Sequence, residues 1–178
     1  SNVIAYLKDD NNNGFTLVLT ANGGIDAPSE SNLLFGAKDT DNAWNANVKS
    51  VDLTNFRTDN ATTLAFLFNG SKSLETITGI EHLNTTQVQD LTAAFQYCAA
   101  LTNLDLSSWK TDNVTSVSNM FFQTTQLQTV TGMDTWNMPK LTEARALFAY
   151  SGITKVDLSN WNPTELRDFT HVFNGCSN

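Results

Sequence analysis

Leu101-Thr102-Asn103-Leu104-Asp105-Leu106-Ser107-Ser108-Trp109, followed by Asp112-Asn113-Val114-Thr115-Ser116-Val117-Ser118-Asn119-Met120-Phe121, is one version of a pattern that the chain repeats. Its closing phenylalanine has counterparts, and Phe68, Phe95, Phe121, Phe148 and Phe173 recur at intervals of 27, 26, 27 and 25 residues. Apolar residues precede each one by one, four and seven positions: Leu67, Leu64, Ala61; Ala94, Leu91, Val88; Met120, Val117, Val114; Leu147, Ala144, Leu141; Val172, Phe169, Leu166. Steps of three and four predict one face of a short helix. Ahead of each helix stands a pair of apolar residues three apart: Val48 and Val51, Leu74 and Ile77, Leu101 and Leu104, Leu127 and Val130, Ile153 and Val156. Each unit reads as a short strand, a turn and a two-turn helix.

A chain of 178 residues is long enough for a sizeable core. A unit of about 26 residues cannot bury its own apolar face, so burial has to come from stacking, and the expected shape is an elongated α/β solenoid. Charged residues make up only 16% and the net charge is −8, which argues against nucleic-acid binding through phosphates. No run of 18 apolar residues and no charged-then-apolar leader occurs, so the stretch is expected neither to span a membrane nor to carry its own export signal. Cys98 and Cys176 fall in one column three repeats apart, about 14 Å at ordinary strand spacing, so both are read as free thiols.

Val3-Ile4-Ala5-Tyr6-Leu7 and Phe15-Thr16-Leu17-Val18-Leu19 flank an Asn-, Asp- and Gly-rich turn, which predicts a β-hairpin. Residues 1–47 are assigned to this hairpin, as an N-terminal cap, and to a degenerate first repeat around Leu34-Phe35. Within them, residues 36–47 form an insertion with Asp39, Asp41 and Trp44 that should project as a surface loop. Five units follow at 48–73, 74–100, 101–126, 127–152 and 153–178, and the array is expected to continue past them. Units two and four carry Thr78-Gly79-Ile80 and Thr131-Gly132-Met133 where the others have Asp-Leu-Thr or Asp-Leu-Ser, which predicts a bulge at the glycine.

The quoted stretch, with Phe173-Asn174-Gly175-Cys176-Ser177 closing unit five, resembles the BspA-like bacterial surface protein family of 26-residue repeats. That family's pattern is Leu-x-x-Leu-Asp-Leu-Ser-x-Trp, then Thr-Ser-x-Val-Thr-x-Met-x-x-Met-Phe, then Gly-Cys-Ser. Unit two departs from it with Leu83 and unit one with Phe56 at the Trp position. The resemblance implies a leucine-rich-repeat-like solenoid of short parallel strands and short helices, on a secreted or cell-surface bacterial protein. It implies adhesion to a host or matrix protein or glycan, and supplies no catalytic residues.

The column Phe56, Leu83, Trp109, Trp136 and Trp161 could be a stacking rail for sugars, but free exchange of Trp, Phe and Leu is what burial tolerates, so it is read as core. Asp9, Asn11 and Asn13 open a calcium-loop pattern, yet Thr20 stands where the bidentate Glu is required, which favours a plain polar turn. Asp52, Asp105 and Asp157 share a column and are read as bonding turn amides. His82 and His171 lie in different columns and are read as surface residues. Ser50, Thr76, Asn103, Thr129 and Lys155 should form an outward polar row, flanked by Lys49, Glu75, Thr102, Gln128 and Thr154, and this strand face is the candidate ligand surface. The expectation is a non-enzymatic binding module without cofactor or metal, with the strand face or the 36–47 loop as contact surface. End-to-end contact at the C-terminal repeat is a further expectation. The alternative is a stalk that projects another domain from the cell wall.

Overall fold

The computed structural model describes residues 4–9, 11, 14–21, 24–31, 33–36 and 47–176. Residues 37–46 of the 36–47 insertion and the third calcium-pattern residue, Asn13, lie outside them. Strands β1 (Ile4–Asp9) and β2 (Phe15–Thr20) form an antiparallel hairpin that pairs Ile4 with Thr20 and Asp9 with Phe15. β2 then runs parallel to β4 (Val48–Asp52), and β4 to β6 (Thr76–Thr78), giving the sheet order β1-β2-β4-β6. Two smaller parallel sheets join β3 (Ile25–Asp26) to β5 (Phe56–Arg57) and β7 (Asn103–Asp105) to β8 (Thr129–Thr131).

The α/β leucine-rich-repeat-like solenoid is overturned. Among the described residues there is no α-helix, the only helical pieces are two three-residue 3₁₀ turns, and the strands fall into three separate small sheets. The segments expected to be helices are chains of tight turns. Two positions before each repeat phenylalanine, Phe66, Ala93, Asn119, Ala146 and His171 have φ between 52° and 61°, the left-handed region. A second left-handed residue follows four further on, at Gly70, Tyr97, Gln123, Tyr150 and Gly175. A right-handed helix accommodates neither.

Backbone hydrogen bonds show what replaces the helix. Leu67, Asn69 and Ser71 donate to carbonyls three residues back, as turns do, while the intervening Leu64, Phe66, Phe68 and Gly70 donate to the Asp90, Thr92, Ala94 and Gln96 carbonyls of the next unit. The same register links Leu91, Ala93, Phe95 and Tyr97 to unit three. Single bridges carry the ladder from Glu30 through Thr63, Asp90, Ser116 and Glu143 to Asp168. Two left-handed residues per coil, where neither is glycine, cost about 2–4 kcal/mol. The four inter-coil bonds contribute about 2–6 kcal/mol net. These nearly balance, so burial decides.

That burial lies along the stacking direction. Phe35, Phe68, Phe95, Phe121, Phe148 and Phe173 form one file with ring centroids 5.3–5.7 Å apart, and successive rings from Phe95 onward are within 5° of parallel. Each fully buried ring is worth about 1.5–3 kcal/mol in removed apolar surface. Trp109, Trp136 and Trp161 make a second file at 6.5 and 6.2 Å. Trp109 and Trp136 are buried, and all three indole N–H groups donate to carbonyls of the preceding unit, at Ile80, Leu106 and Met133. This column is core.

The glycines of units two and four do not make bulges. Gly79 (φ 80°) and Gly132 (φ 94°) end their strands in left-handed conformation and open the 3₁₀ turns Ile80–His82 and Met133–Thr135. A Cβ on Gly132 would lie 2.3 Å from the Ser107 Cα and N, so no larger residue fits. In units one, three and five the Asp52, Asp105 and Asp157 carboxylates instead accept the amides of Thr54, Ser107 and Ser159 at 2.9, 3.0 and 2.9 Å. Strand pairing follows this alternation. β4 with β6 and β7 with β8 join units one to two and three to four.

Candidate binding surface

On a strand, alternate side chains face opposite ways, so the pleat that buries Val51 and Leu104 turns their neighbours outward. Ser50 pairs with Thr76 and Asn103 with Thr129 in direct register. Thr76, Asn103 and Thr129 are exposed and Ser50 is half-buried. Cross-strand hydrogen bonds fix two of its members, Ser50 and Thr129: Thr16 and Ser50 hydroxyls lie 2.6 Å apart, and the Thr129 hydroxyl donates to Asn103 Oδ1 at 2.7 Å. Thr76 and Asn103 have no strand pairing between them, so the row is two pairs and not one ladder. Lys155 is exposed but stands on irregular backbone. It contributes to an open depression of about 250 Å³ that also holds Thr129, Thr131, Asp134 and Asp157.

Along the flank, Lys49 Nζ lies 3.7 Å from Glu75 Oε1. At the strand ends, hydrogen bonds from the Ser107 and Ser159 hydroxyls, then from their amides, hold the Asp105 and Asp157 carboxyls below the usual range. These carboxylates are charged at neutral pH and already serve turn amides. His82 and His171 are both exposed. The Asp9 carboxylate takes the Asn11 amide at 2.8 Å, closing its own turn, and among the described residues no group of three His, Cys, Asp or Glu is arranged around a metal position. Cys98 and Cys176 are free thiols. Cys98 is buried, with its Sγ directed at the Phe68 carbonyl, and burial pushes that thiol well up.

Sequence reasoning missed a second surface feature. Tyr97, Phe122 and Tyr150 line up beside the Phe file with edge-to-face contacts at 5.6 and 5.7 Å. A signal existed in the aromatic residue two positions beyond Phe95 and Phe148. Each contact sets the edge of one ring against the face of the next, Tyr150 also lies against Gly175, and Tyr150 is still 46% exposed. No helix among the described residues is long and apolar enough to cross a membrane.

Fold and surface together define a tandem-repeat protein whose units stack through a backbone ladder and shared aromatic files, with polar strand residues outside. A family profile described as "Mycoplasma protein of unknown function, DUF285" matches residues 38–161 and again residues 129–178. The chain belongs to that family. Overlapping matches are what a repeated unit produces. Neither the curated proteins nor the solved structures yield a match.

Proposed function

We propose that this chain is a non-catalytic, BspA-like repeat module of a bacterial cell-surface or secreted protein that holds a host or matrix protein or glycan by its polar strand face. The observation that carries this reading is the two polar couples, half-buried Ser50 with exposed Thr76 and exposed Asn103 with exposed Thr129, held in register over a filled core. Backbone rigidity keeps such groups preorganised, so many weak hydrogen bonds sum over one surface. Family membership is in keeping with this role without specifying it.

The test is binding of the purified chain to immobilised mucin, matrix proteins and a glycan array, repeated with Thr76→Glu, Asn103→Glu and Thr129→Glu. Loss of binding in these exposed-site variants, with unchanged unfolding midpoint, supports the reading. Binding that all three leave intact moves the contact elsewhere. A second reading, a stalk projecting another domain, draws on the continuous Phe file from Phe35 to Phe173, which suits a spacer. It predicts no ligand for this chain on any surface.

A further inference from the structure

A column of buried threonines ties coil to coil just past the Trp file. The Thr58 hydroxyl donates to the Asn84 carbonyl at 2.9 Å, and the Thr85 hydroxyl donates to the Lys110 carbonyl at 2.9 Å while accepting the Lys110 N–H at 2.7 Å. Thr111 is the next member and, like Thr85, only 2% exposed. Among the described residues its hydroxyl has no hydrogen-bond partner, and the main-chain N–H and carbonyl of Asn137, which would complete the column, have none either. Leaving a buried hydroxyl unmatched is costly, so its persistence calls for a partner from outside the chain.

Thr111 lines a recess of about 280 Å³ between units three and four, together with Ser107, Lys110, Asp112, Thr135 and Asn137. Both units have further coils on either side, so the recess belongs to the interior of the array. The Ser107 and Thr135 hydroxyls are taken by Asp105 and by the Gly132 carbonyl. Among the described residues, the Lys110 ammonium, the Asp112 carboxylate and the Asn137 side-chain amide have neither ion-pair nor hydrogen-bond partner. All three residues are exposed. Trp109 also lines the recess, but it is 2% exposed and packed on Trp136, so no ring face is left for a ligand to stack on.

One cation and one anion offset each other, which favours neither an anionic nor a cationic ligand. Donors on Lys110, Thr111 and Asn137 stand with acceptors on Asp112, Thr111 and Asn137. Vicinal hydroxyls of a sugar ring, each both donor and acceptor, match that set, and the volume lies below the usual range for drug-sized ligands. We infer that the recess between units three and four binds one neutral sugar residue, with the Thr111 hydroxyl and the Asn137 amide meeting ring hydroxyls and Lys110 and Asp112 holding them at the rim. This site is separate from the polar strand row and stands whether or not that row binds anything.

The test titrates glucose, galactose, mannose and N-acetylglucosamine, to about 100 mM, into the isotope-labelled chain followed by NMR, with glycine as a zwitterionic control. At least one sugar should shift the amide signals of Thr111 and Asn137. Thr111→Val removes a hydroxyl that has no partner in the chain, so the urea midpoint should hold while sugar affinity falls about fivefold or more, the worth of one hydrogen bond. Asp112→Ala, at an exposed position, should weaken binding by a similar factor with the fold intact. Four results overturn the inference: no shift at Thr111 and Asn137 with any of these sugars, affinity unchanged in both variants, glycine producing the same shifts, or a lowered midpoint in Thr111→Val, which would show that the hydroxyl is partnered within the chain.

Discussion

Gln123→Gly separates left-handed turns from helices by the sign of its effect. Gln123 has φ 56°, is exposed, and donates its backbone N–H to the Ala149 carbonyl at 2.9 Å, a bond that glycine keeps. Glycine already occupies this column at Gly70 and Gly175, with φ 77° and 71°. Relief of the left-handed conformation is worth roughly 1–2 kcal/mol. The greater freedom of glycine in the unfolded chain takes back about 0.4–1 kcal/mol. The net expectation is a stabilisation of about 0.5–1 kcal/mol, seen as a higher urea midpoint at unchanged slope. Were residues 117–123 helical, the same substitution would destabilise by about 0.5–1 kcal/mol. A lowered midpoint would refute the turn geometry.

Phe121→Ala removes a fully buried ring lying 5.7 Å from Phe95 and 5.3 Å from Phe148, and should cost about 3–5 kcal/mol by urea unfolding. Gly132→Ala should lower the midpoint by more than the roughly 1–2 kcal/mol of left-handed strain, because its Cβ also meets Ser107 backbone at 2.3 Å. Opening that contact should also speed exchange of the Leu106 amide, which donates to Thr131. Hydrogen bonds from Ser107, Ser159 and Thr170 depress the carboxyl pKa values of Asp105, Asp157 and Asp168. Groups lowered in the folded state lend stability that is complete above their ordinary value and lost as pH falls through the folded value. The melting temperature should therefore drop on acidification below about pH 4, and less steeply in Asp105→Ala.

Side-chain destinations were legible in the sequence where backbone geometry was not. The columns ending in Phe68, Phe95, Phe121 and Phe148 mark buried positions, and the interchange of Leu83, Trp109 and Trp136 marks a core site. Apolar spacing of three and four also suits a succession of three-residue turns, so periodicity alone could not distinguish these from a helix. The deciding residues, Phe66, Ala93, Asn119, Ala146 and His171, include no glycine, and only Asn119 and His171 are of types enriched in the left-handed region, so the column carried little compositional trace. Gly70 and Gly175 in the sister column were the clearer hint. On the candidate surface, the outward placement of Thr76, Asn103 and Thr129 follows from strand alternation. The break between Thr76 and Asn103 does not, because strand alternation sets which way a side chain faces and not which strands pair.

Scalar couplings transmitted across hydrogen bonds test the stacked-turn architecture most directly. Couplings are expected from the Phe68, Phe95 and Phe121 amide nitrogens to the carbonyl carbons of Ala94, Met120 and Leu147. Couplings to carbonyls four residues earlier in the same unit would restore the helix and contradict it.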